Sequence, residues 1–325
     1  MDLNSLVGGR SIAALSCTLL LAACSTADYS KPVNDFAAAT SASKAALADL
    51  NTQVTEAYRG VLDATILRGD VLLQQKAGDC QVGSVRCRLV LVDKDRNEVE
   101  PYPPEPPLAR MTILMTEIDS YAANLKVLLE ADTAKQASAQ VNAALGSIQH
   151  LATTVASMNA GGGPPPEIPQ FATPVGEAVN WVVGQYVEHV KLTGLQHATA
   201  AAQPVIRQAA DLFTAAATFA SDVPKLELAN EVSSAQDAVR ANTSQGAISS
   251  YAQSAAKYDA LLTSSASDLF QRMGDAHDAL AESLQDKELT LATAYARIQA
   301  FAAEAEKLAK ILQDLRALVP KDQEG

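Results

Sequence analysis

Apolar residues recur at alternating steps of three and four along most of this chain, and this spacing constrains the fold more than any other feature. It places apolar side chains on one stripe of an α-helix. Alanine, the strongest helix former, is the commonest residue, and aromatic residues make up only 5%. We therefore predict an all-α fold, an elongated antiparallel bundle of about five long, coiled-coil-like helices. The clearest stripes are Leu47, Leu50, Val54, Ala57, Val61; Met111, Leu114, Ile118, Tyr121, Leu125, Leu128; Val141, Leu145, Ile148, Ala152, Val155; and Ile298, Phe301, Ala305, Leu308, Leu312, Leu315, Val319.

Shifts in composition divide the chain into segments. Runs of glycine and proline end helices and form linkers. The predicted segments are an apolar leader at 1–23, a polar tether at 24–33, a long helical hairpin at 34–158 with an insertion at 79–107, a Gly/Pro linker at 159–173, a three-helix part at 174–319 that packs on the hairpin, and a polar tail at 320–325.

Caps and phase changes predict the limits of the first two helices. Asn34 or Asp35 can cap a helix that begins at Phe36 and runs to about Gln75. The second helix should run antiparallel to the first. Its apolar phase slips at 132–139, which predicts a local change of supercoiling within one continuous helix.

Prolines predict interruptions in the second half of the chain. Pro204 lacks a backbone donor and predicts a kink or a break. Asp222 with Pro224 predicts the start of another long helix. Its predicted buried stripe is Ile248, Tyr251, Ala255, Tyr258 and Leu262.

The N-terminal segment carries the one family resemblance in the sequence. An apolar run at 12–21 is shorter than the roughly 20 residues that a transmembrane helix needs. It leads into the sequence LAAC at 21–24, which resembles the lipobox of bacterial lipoproteins. The resemblance implies cleavage before Cys24, a diacylglyceryl group on its sulfur and acylation, such as with palmitate, of its new amino group. Ser25 stands where lipoproteins of the inner membrane often carry Asp, so the resemblance implies anchoring in the outer membrane, facing the periplasm.

The insertion reads as a small β-hairpin. The β-branched run 89–92 is followed by the polar turn 93–97 and then by Val99. In an exported chain the two remaining cysteines, Cys80 and Cys87, predict a disulfide that closes the base of this hairpin. Free thiols and a metal-binding pair are the alternatives.

The charge of the chain limits its partners. The net charge is -12, and Asp2 and Arg10 of the leader cancel. Phosphate backbones and anionic lipid surfaces therefore repel this chain. We expect no nucleic-acid partner, membrane attachment through the acyl chains and another envelope protein as the partner; the sequence leaves the oligomeric state open.

Two segments have the SxxK spacing, which resembles the Ser/Lys pair of penicillin-binding enzymes. They are Ser41 to Lys44 and Ser254 to Lys257. Neither comes with the KTG or SDN elements that accompany the pair in those enzymes. We predict that the chain has no catalytic residues.

Metal or cofactor binding is also not predicted. Asp93, Asp95 and Asn97 alternate like the start of a calcium loop, but Glu98 occupies the position that requires glycine, so a solvated turn is the better interpretation. No two histidines are three or four residues apart. The histidines are His150, His189, His197 and His277.

Three functions remain as hypotheses. The first is a lipid-anchored structural, scaffold or interaction protein of the bacterial envelope. The second is a membrane-active bundle that rearranges about the linker at 159–173. The third is an enzyme or metal protein whose site is assembled across helices.

Overall fold

A computed structural model of the chain describes residues 26–76, 89–102, 108–158, 168–172, 183–262, 266–285 and 290–317. The described part is mostly helical, as predicted, and contains a small sheet. It holds seven helices where about five were predicted. Cys24, Cys80 and Cys87 lie outside the described residues, as does most of the predicted linker. The elements are α1 (Thr26–Leu67), β1 (Leu72–Gln75), β2 (Leu89–Val92), β3 (Glu98–Tyr102), α2 (Ala109–Leu129), α3 (Ala134–Met158), α4 (Val183–Ala241), α5 (Gln245–Leu262), α6 (Ala266–Gln285) and α7 (Leu291–Ala317).

Helix α1 begins earlier than predicted. It starts at Thr26, so the predicted tether at 24–33 is wrong from residue 26 onward. The reason is a buried stripe formed by Tyr29, Val33 and Phe36, which lie four and three residues apart and are at most 6% exposed. This stripe continues into the predicted core positions Leu47, Leu50 and Val54, which are at most 3% exposed; the side chains of Ala57 and Val61 lie outside the described part.

Helix α1 also ends earlier than predicted. Gly69 adopts a left-handed backbone with φ 74°. The amides of Gly69 and Asp70 donate hydrogen bonds of 2.9 and 3.2 Å to carbonyls of the last helical turn. This is the Schellman arrangement, which glycine adopts without the steric penalty of a Cβ. The helix therefore stops at Leu67, and the predicted end near Gln75 is wrong.

The segment predicted as one second helix is two helices, α2 and α3. The side chain of Thr133 accepts a hydrogen bond from the amide of Gln136 at 3.2 Å, and the side chain of Gln136 accepts one from the amide of Thr133 at 3.1 Å. This reciprocal pair is a capping box, which starts a new helix. The predicted phase slip is thus a helix boundary. The stripes predicted for both arms are confirmed, since all their members are buried.

Helix α4 continues through Pro204 and Pro224. The predicted break at Pro204 and the predicted helix start at Asp222 are therefore wrong. Proline removes the donor to the carbonyl four residues earlier. Ala200 and Pro204 are both exposed, so that carbonyl is placed where solvent can replace the missing donor. Pro32 similarly lies within α1.

The stripe predicted for α5 is not buried as predicted. Ile248 is 47% exposed, Tyr251, Ala255 and Tyr258 are only partly buried, and the side chain of Leu262 lies outside the described part. The buried side chain on the face towards α4 is Ser254, at 2% exposure. Helix α5 starts separately from α4 because the Ser244 hydroxyl caps it, accepting a hydrogen bond from the amide of Ala247 at 3.2 Å.

The stripe predicted for α7 is confirmed from Ile298 to Leu312, whose members are at most 3% exposed. The side chains of Leu315 and Val319 lie outside the described part. Helix α7 packs this stripe against α6 and α1.

Six helices enclose one core. Contacts run from α1 to α2, α3, α4, α6 and α7 in turn, and α7 returns to α1. Small residues allow close packing, and a Cβ on Gly194 of α4 would overlap the Val141 side chain of α3. Helix α5 lies outside this ring, on α4 and with a small contact to α7.

The sheet has the order β1-β2-β3, with antiparallel neighbours. The predicted β2–β3 hairpin is confirmed, but β1 was missed because its residues were assigned to the first helix. The pairing shifts between Leu91 and Val92, opposite Glu100 and Glu98. Val99 is thus the extra residue of a β-bulge.

Candidate functional site

The first SxxK segment connects α1 to α2 through a carboxylate. The hydroxyl of Ser41 donates a hydrogen bond to Oδ1 of Asp119, and Nζ of Lys44 lies 2.9 Å from Oδ2 of the same residue. The i, i+3 spacing places both donors on one helix face. The serine hydroxyl is therefore bonded to a carboxylate and not to the lysine that would have to activate it.

The second SxxK segment repeats this arrangement between α5 and α4. The hydroxyl of Ser254 donates a 2.7 Å hydrogen bond to Oε1 of Glu231, and Nζ of Lys257 lies 3.7 Å from the same oxygen. In both segments the serine and lysine hold a carboxylate of an adjacent helix. The i, i+3 spacing of the serine and the lysine is therefore explained by a contact between helices and does not require a serine nucleophile.

An open groove of about 610 Å³ lies beside the first SxxK segment, between α1 and α2. Two of its acidic side chains are already engaged. Asp35 pairs with Lys31 at 2.7 Å and accepts a 2.8 Å hydrogen bond from Gln299 of α7, while Asp119 is held by the SxxK donors. These carboxylates join helices to one another.

A buried hydrogen bond joins α2 to α6. The hydroxyl of Tyr121 and Nε2 of His277 are 2.9 Å apart, and both residues are fully buried. The imidazole also packs against Phe36, with ring centroids 5.8 Å apart. Among the described residues, no group forms a hydrogen bond with Nδ1 of His277.

Burial keeps both members of this pair neutral at physiological pH. Desolvation, reinforced by the nearby positive charge of Arg207, lowers the pKa of His277 to about 3. Desolvation likewise raises the pKa of Tyr121 well above its usual value. Arg207 itself is held by Asp275, at 3.0 Å, and by Asp278. The pair is thus a neutral contact within the core.

The other histidines do not converge with His277. His150 is exposed, whereas His189 and His197 of α4 are partly buried, and His197 contacts the ring of Phe171 at 5.7 Å between centroids. Within the described ranges, no three His, Cys, Asp or Glu side chains are grouped so that they could hold a metal ion.

The segment compared with a calcium loop is a turn stabilised by its own side chain. Asp93 accepts hydrogen bonds from the amides of Asp95 and Asn97 at 2.9 and 2.8 Å, and from the side chain of Asn97 at 3.1 Å. These bonds lower the pKa of the Asp93 carboxyl, the side-chain bond from Asn97 contributing most. Its oxygens close the hairpin turn.

The sheet forms a surface of a different kind, which we call the sheet tip: residues 67–76 and 89–99. It gathers four of the seven large apolar side chains that are most exposed in the described part, namely Leu67 at 88%, Leu72 at 50%, Leu73 at 41% and Val99 at 58%. Several exposed apolar side chains within one short part of the fold make the sheet tip a candidate interaction surface.

Ion pairs are also present in the sheet tip. Asp70 pairs with Arg68 at 3.2 Å and with Lys94 at 3.3 Å, which lowers the pKa of its carboxyl. Lys76 pairs with Glu98 at 3.0 Å across the sheet. The sheet tip thus combines exposed apolar side chains with charged side chains of both signs, as interaction surfaces often do.

No family model, curated protein or solved structure matches this chain. Within the part that the structure describes, none of the helices is both long enough and apolar enough to cross a bilayer.

Sequence reasoning missed the sheet tip because β1 was assigned to α1. One readable signal would have separated them. Gly69 followed by Asp70 is a helix stop, and recognising it would have left Leu72 to Gln75 free to pair with β2.

Proposed function

We propose that this chain is a lipid-anchored, non-enzymatic protein of the bacterial envelope, in which an elongated antiparallel helix bundle holds the sheet tip away from the membrane as an interaction surface. The acyl chains on Cys24 anchor it to the outer membrane, on the periplasmic side. Its partner is another envelope protein.

One observation carries this proposal. Helix α1 begins at Thr26, two residues after Cys24, and continues for 42 residues to Leu67 in the sheet tip. At 1.5 Å per residue this helix is about 60 Å long. A single continuous helix therefore separates the proposed lipid from the exposed apolar side chains, which supports a spacer with one end for the membrane and one for a partner.

The polar contacts between helices support a structural role. The SxxK donors hold carboxylates of adjacent helices, and the buried Tyr121–His277 pair is neutral and shielded from solvent. The SxxK serines and lysines and His277, which the sequence offered as candidates for chemistry, thus take part in contacts that join α1 to α2, α4 to α5 and α2 to α6. An interaction protein needs this kind of rigid scaffold.

The anchor is tested by membrane fractionation of the full chain expressed in bacteria. The unaltered protein should sediment with membranes, and mass spectrometry should find residues 1–23 removed and a lipid on Cys24. Cys24→Ala should release the protein, because the thioether-linked lipid cannot form. Cys17→Ala, which alters the leader's other cysteine, is the matched control and should stay attached. Unchanged fractionation of Cys24→Ala would reject the anchor.

The disulfide between Cys80 and Cys87 is part of the same proposal, because export exposes the chain to an oxidising compartment. Thiol alkylation of the purified protein before and after reduction tests it. Both cysteines should react only after reduction. Reaction of both without reductant would contradict the proposed pairing.

A further inference from the structure

We infer that the outer edge of β1 is a self-association surface, where a second copy of this chain pairs its own β1 in antiparallel orientation. The inference rests on the proposed function, because it takes the sheet tip as an interaction surface; it assigns the outer edge of β1 to a second copy and leaves the rest of the sheet tip to the other envelope protein. The supporting observations are the burial pattern, the position of β1 at the edge of the described sheet and the charge of the sheet tip.

Burial falls sharply from one strand of the sheet to the next. Leu72 pairs with Val92, and Leu73 pairs with Leu91. The β2 members of these pairs are 4% and 1% exposed, but Leu72 and Leu73 are 50% and 41% exposed. Adjacent residues of a strand point to opposite faces, so both faces of the sheet are covered over β2 and uncovered over β1. A further strand beside β1 would cover both leucines.

The outer edge of β1 is where such a strand could pair. β1 is at the edge of the sheet order, with β2 on one side and, among the described residues, no strand on the other. An edge strand presents alternate N–H and C=O groups that template pairing with another chain. Two identical edges can pair in antiparallel orientation about a two-fold axis, the commonest symmetry of homo-oligomers.

The charge distribution favours a second copy at this place. Two chains of net charge -12 repel each other overall, but the sheet tip contains four basic and four acidic side chains. Opposite ends of α1 are about 60 Å apart, well beyond the roughly 8 Å over which charges act at physiological salt. Two copies can therefore meet at the sheet tip without the repulsion that their other surfaces would cause.

A strand of four residues forms few hydrogen bonds, so this contact is weak between freely diffusing molecules. Anchoring both copies to one membrane raises their effective concentration, which strengthens a weak contact without adding any new one. Self-association should therefore be tested on the full chain in its membrane.

The experiment uses two full-length copies with different C-terminal tags, expressed together in bacteria, with a photo-crosslinking residue at the exposed position Gln74. Irradiation should give a product that carries both tags and twice the mass of one chain. The same crosslinker at Ile113 or Ile248, which are 53% and 47% exposed and outside the sheet tip, should give no such product.

Paired variants then test the surface itself. L72K combined with L73K sets like charges across the two-fold axis and should lower the yield of doubly tagged product about tenfold. Ile248→Lys makes the same kind of change at an exposed site on α5 and should leave the yield unchanged. Circular dichroism should show that both variants keep the helical content of the unaltered protein.

Three results would overturn the inference: no doubly tagged product from Gln74, crosslinks from Gln74 to other proteins alone, or an equal loss of product in Ile248→Lys. These failures are distinguishable from failure of the proposed anchor, because membrane fractionation of the same cells reports the anchor independently.

Discussion

Helices α2 and α5 have the same kind of apolar spacing but different surroundings. In α2 every member of the predicted stripe is at most 6% exposed, whereas in α5 Ile248 is 47% exposed and the buried side chain is Ser254. Helix α2 contacts α1, α3 and α4, and α5 rests almost entirely on α4. Apolar spacing thus indicates that a segment is helical, but the number of neighbouring helices decides whether its stripe becomes core.

The difference in burial between α2 and α5 predicts that the two regions differ in local stability. Among the side chains that the structure describes in the hairpin of α5 and the C-terminal part of α4, few are buried, mainly Ala235 and Ser254. Segments with few buried apolar contacts open at a lower free energy than the core does. The hairpin should therefore open without unfolding the ring of six helices.

Matched isoleucine substitutions give the largest expected difference between the two regions. Ile118 of α2 is fully buried and Ile248 of α5 is half exposed. Ile118→Ala should lower the free energy of unfolding by about 2–5 kcal/mol, because it removes buried methyl groups and leaves a cavity. Ile248→Ala should lower it by less than about 0.5 kcal/mol. Urea unfolding followed by circular dichroism measures both, and similar losses would contradict the comparison.

The buried histidine makes the stability of the packed core depend on pH, which further separates the core from the α5 region. His277 has a pKa of about 3 when folded, against an ordinary histidine value of 6.5, so the unfolded state binds a proton first as the pH falls. Above pH 6.5 the imidazole is neutral in both the folded and the unfolded state, and stability is not reduced. Between pH 6.5 and 3 only the unfolded state binds the proton, so the free energy of unfolding falls by roughly 1 kcal/mol for each pH unit of acidification.

His277→Phe should remove this pH dependence while keeping an aromatic ring in the core. Between pH 7.5 and pH 5 the unaltered protein should lose about 1–2 kcal/mol more unfolding free energy than the variant. His150→Phe, at an exposed position, is the control and should keep the dependence of the unaltered protein. Equal slopes for all three proteins would show that His277 is not shielded from solvent.

The two SxxK segments give the smallest expected difference in stability loss, because the same serine–carboxylate contact occurs in both regions. The hydrogen bond from Ser41 to Asp119 lies at an exposed position, whereas Ser254 is 2% exposed and its bond to Glu231 is partly buried, so water replaces the serine hydroxyl more readily at Asp119. Ser254→Ala should therefore destabilise the protein by about 1–2 kcal/mol and Ser41→Ala by less than about 1 kcal/mol. Thermal melting would resolve the order, and a reversed order would contradict it.

Local sequence signals predicted much of the helical core. The stripes of α2, α3 and α7 are long and regular, so their burial could be read directly from spacing. The C-terminus of α1 and the N-terminus of α3 were also encoded locally, by Gly69 and by the pair Thr133 and Gln136 respectively. They were missed because continuous apolar spacing was allowed to outweigh cap residues.

Other features depend on packing between distant parts of the chain. Tyr121 and His277 are 156 residues apart, and nothing near either of them indicates the other. The SxxK segments likewise acquire a role only when Asp119 and Glu231 are placed opposite them. Pro204 was predicted to kink or break a helix. The prediction of a break failed because the exposure of this position, which lets solvent replace the lost hydrogen bond, is a property of the fold and cannot be read from the sequence.

Helix α4 has a mechanical consequence. Its 59 residues extend for about 90 Å, with one half in the ring of six helices and the other in the solvated hairpin. Both halves belong to one helix, so we expect a displacement of the hairpin to be transmitted along it to the packed half, which contacts α3 and α6.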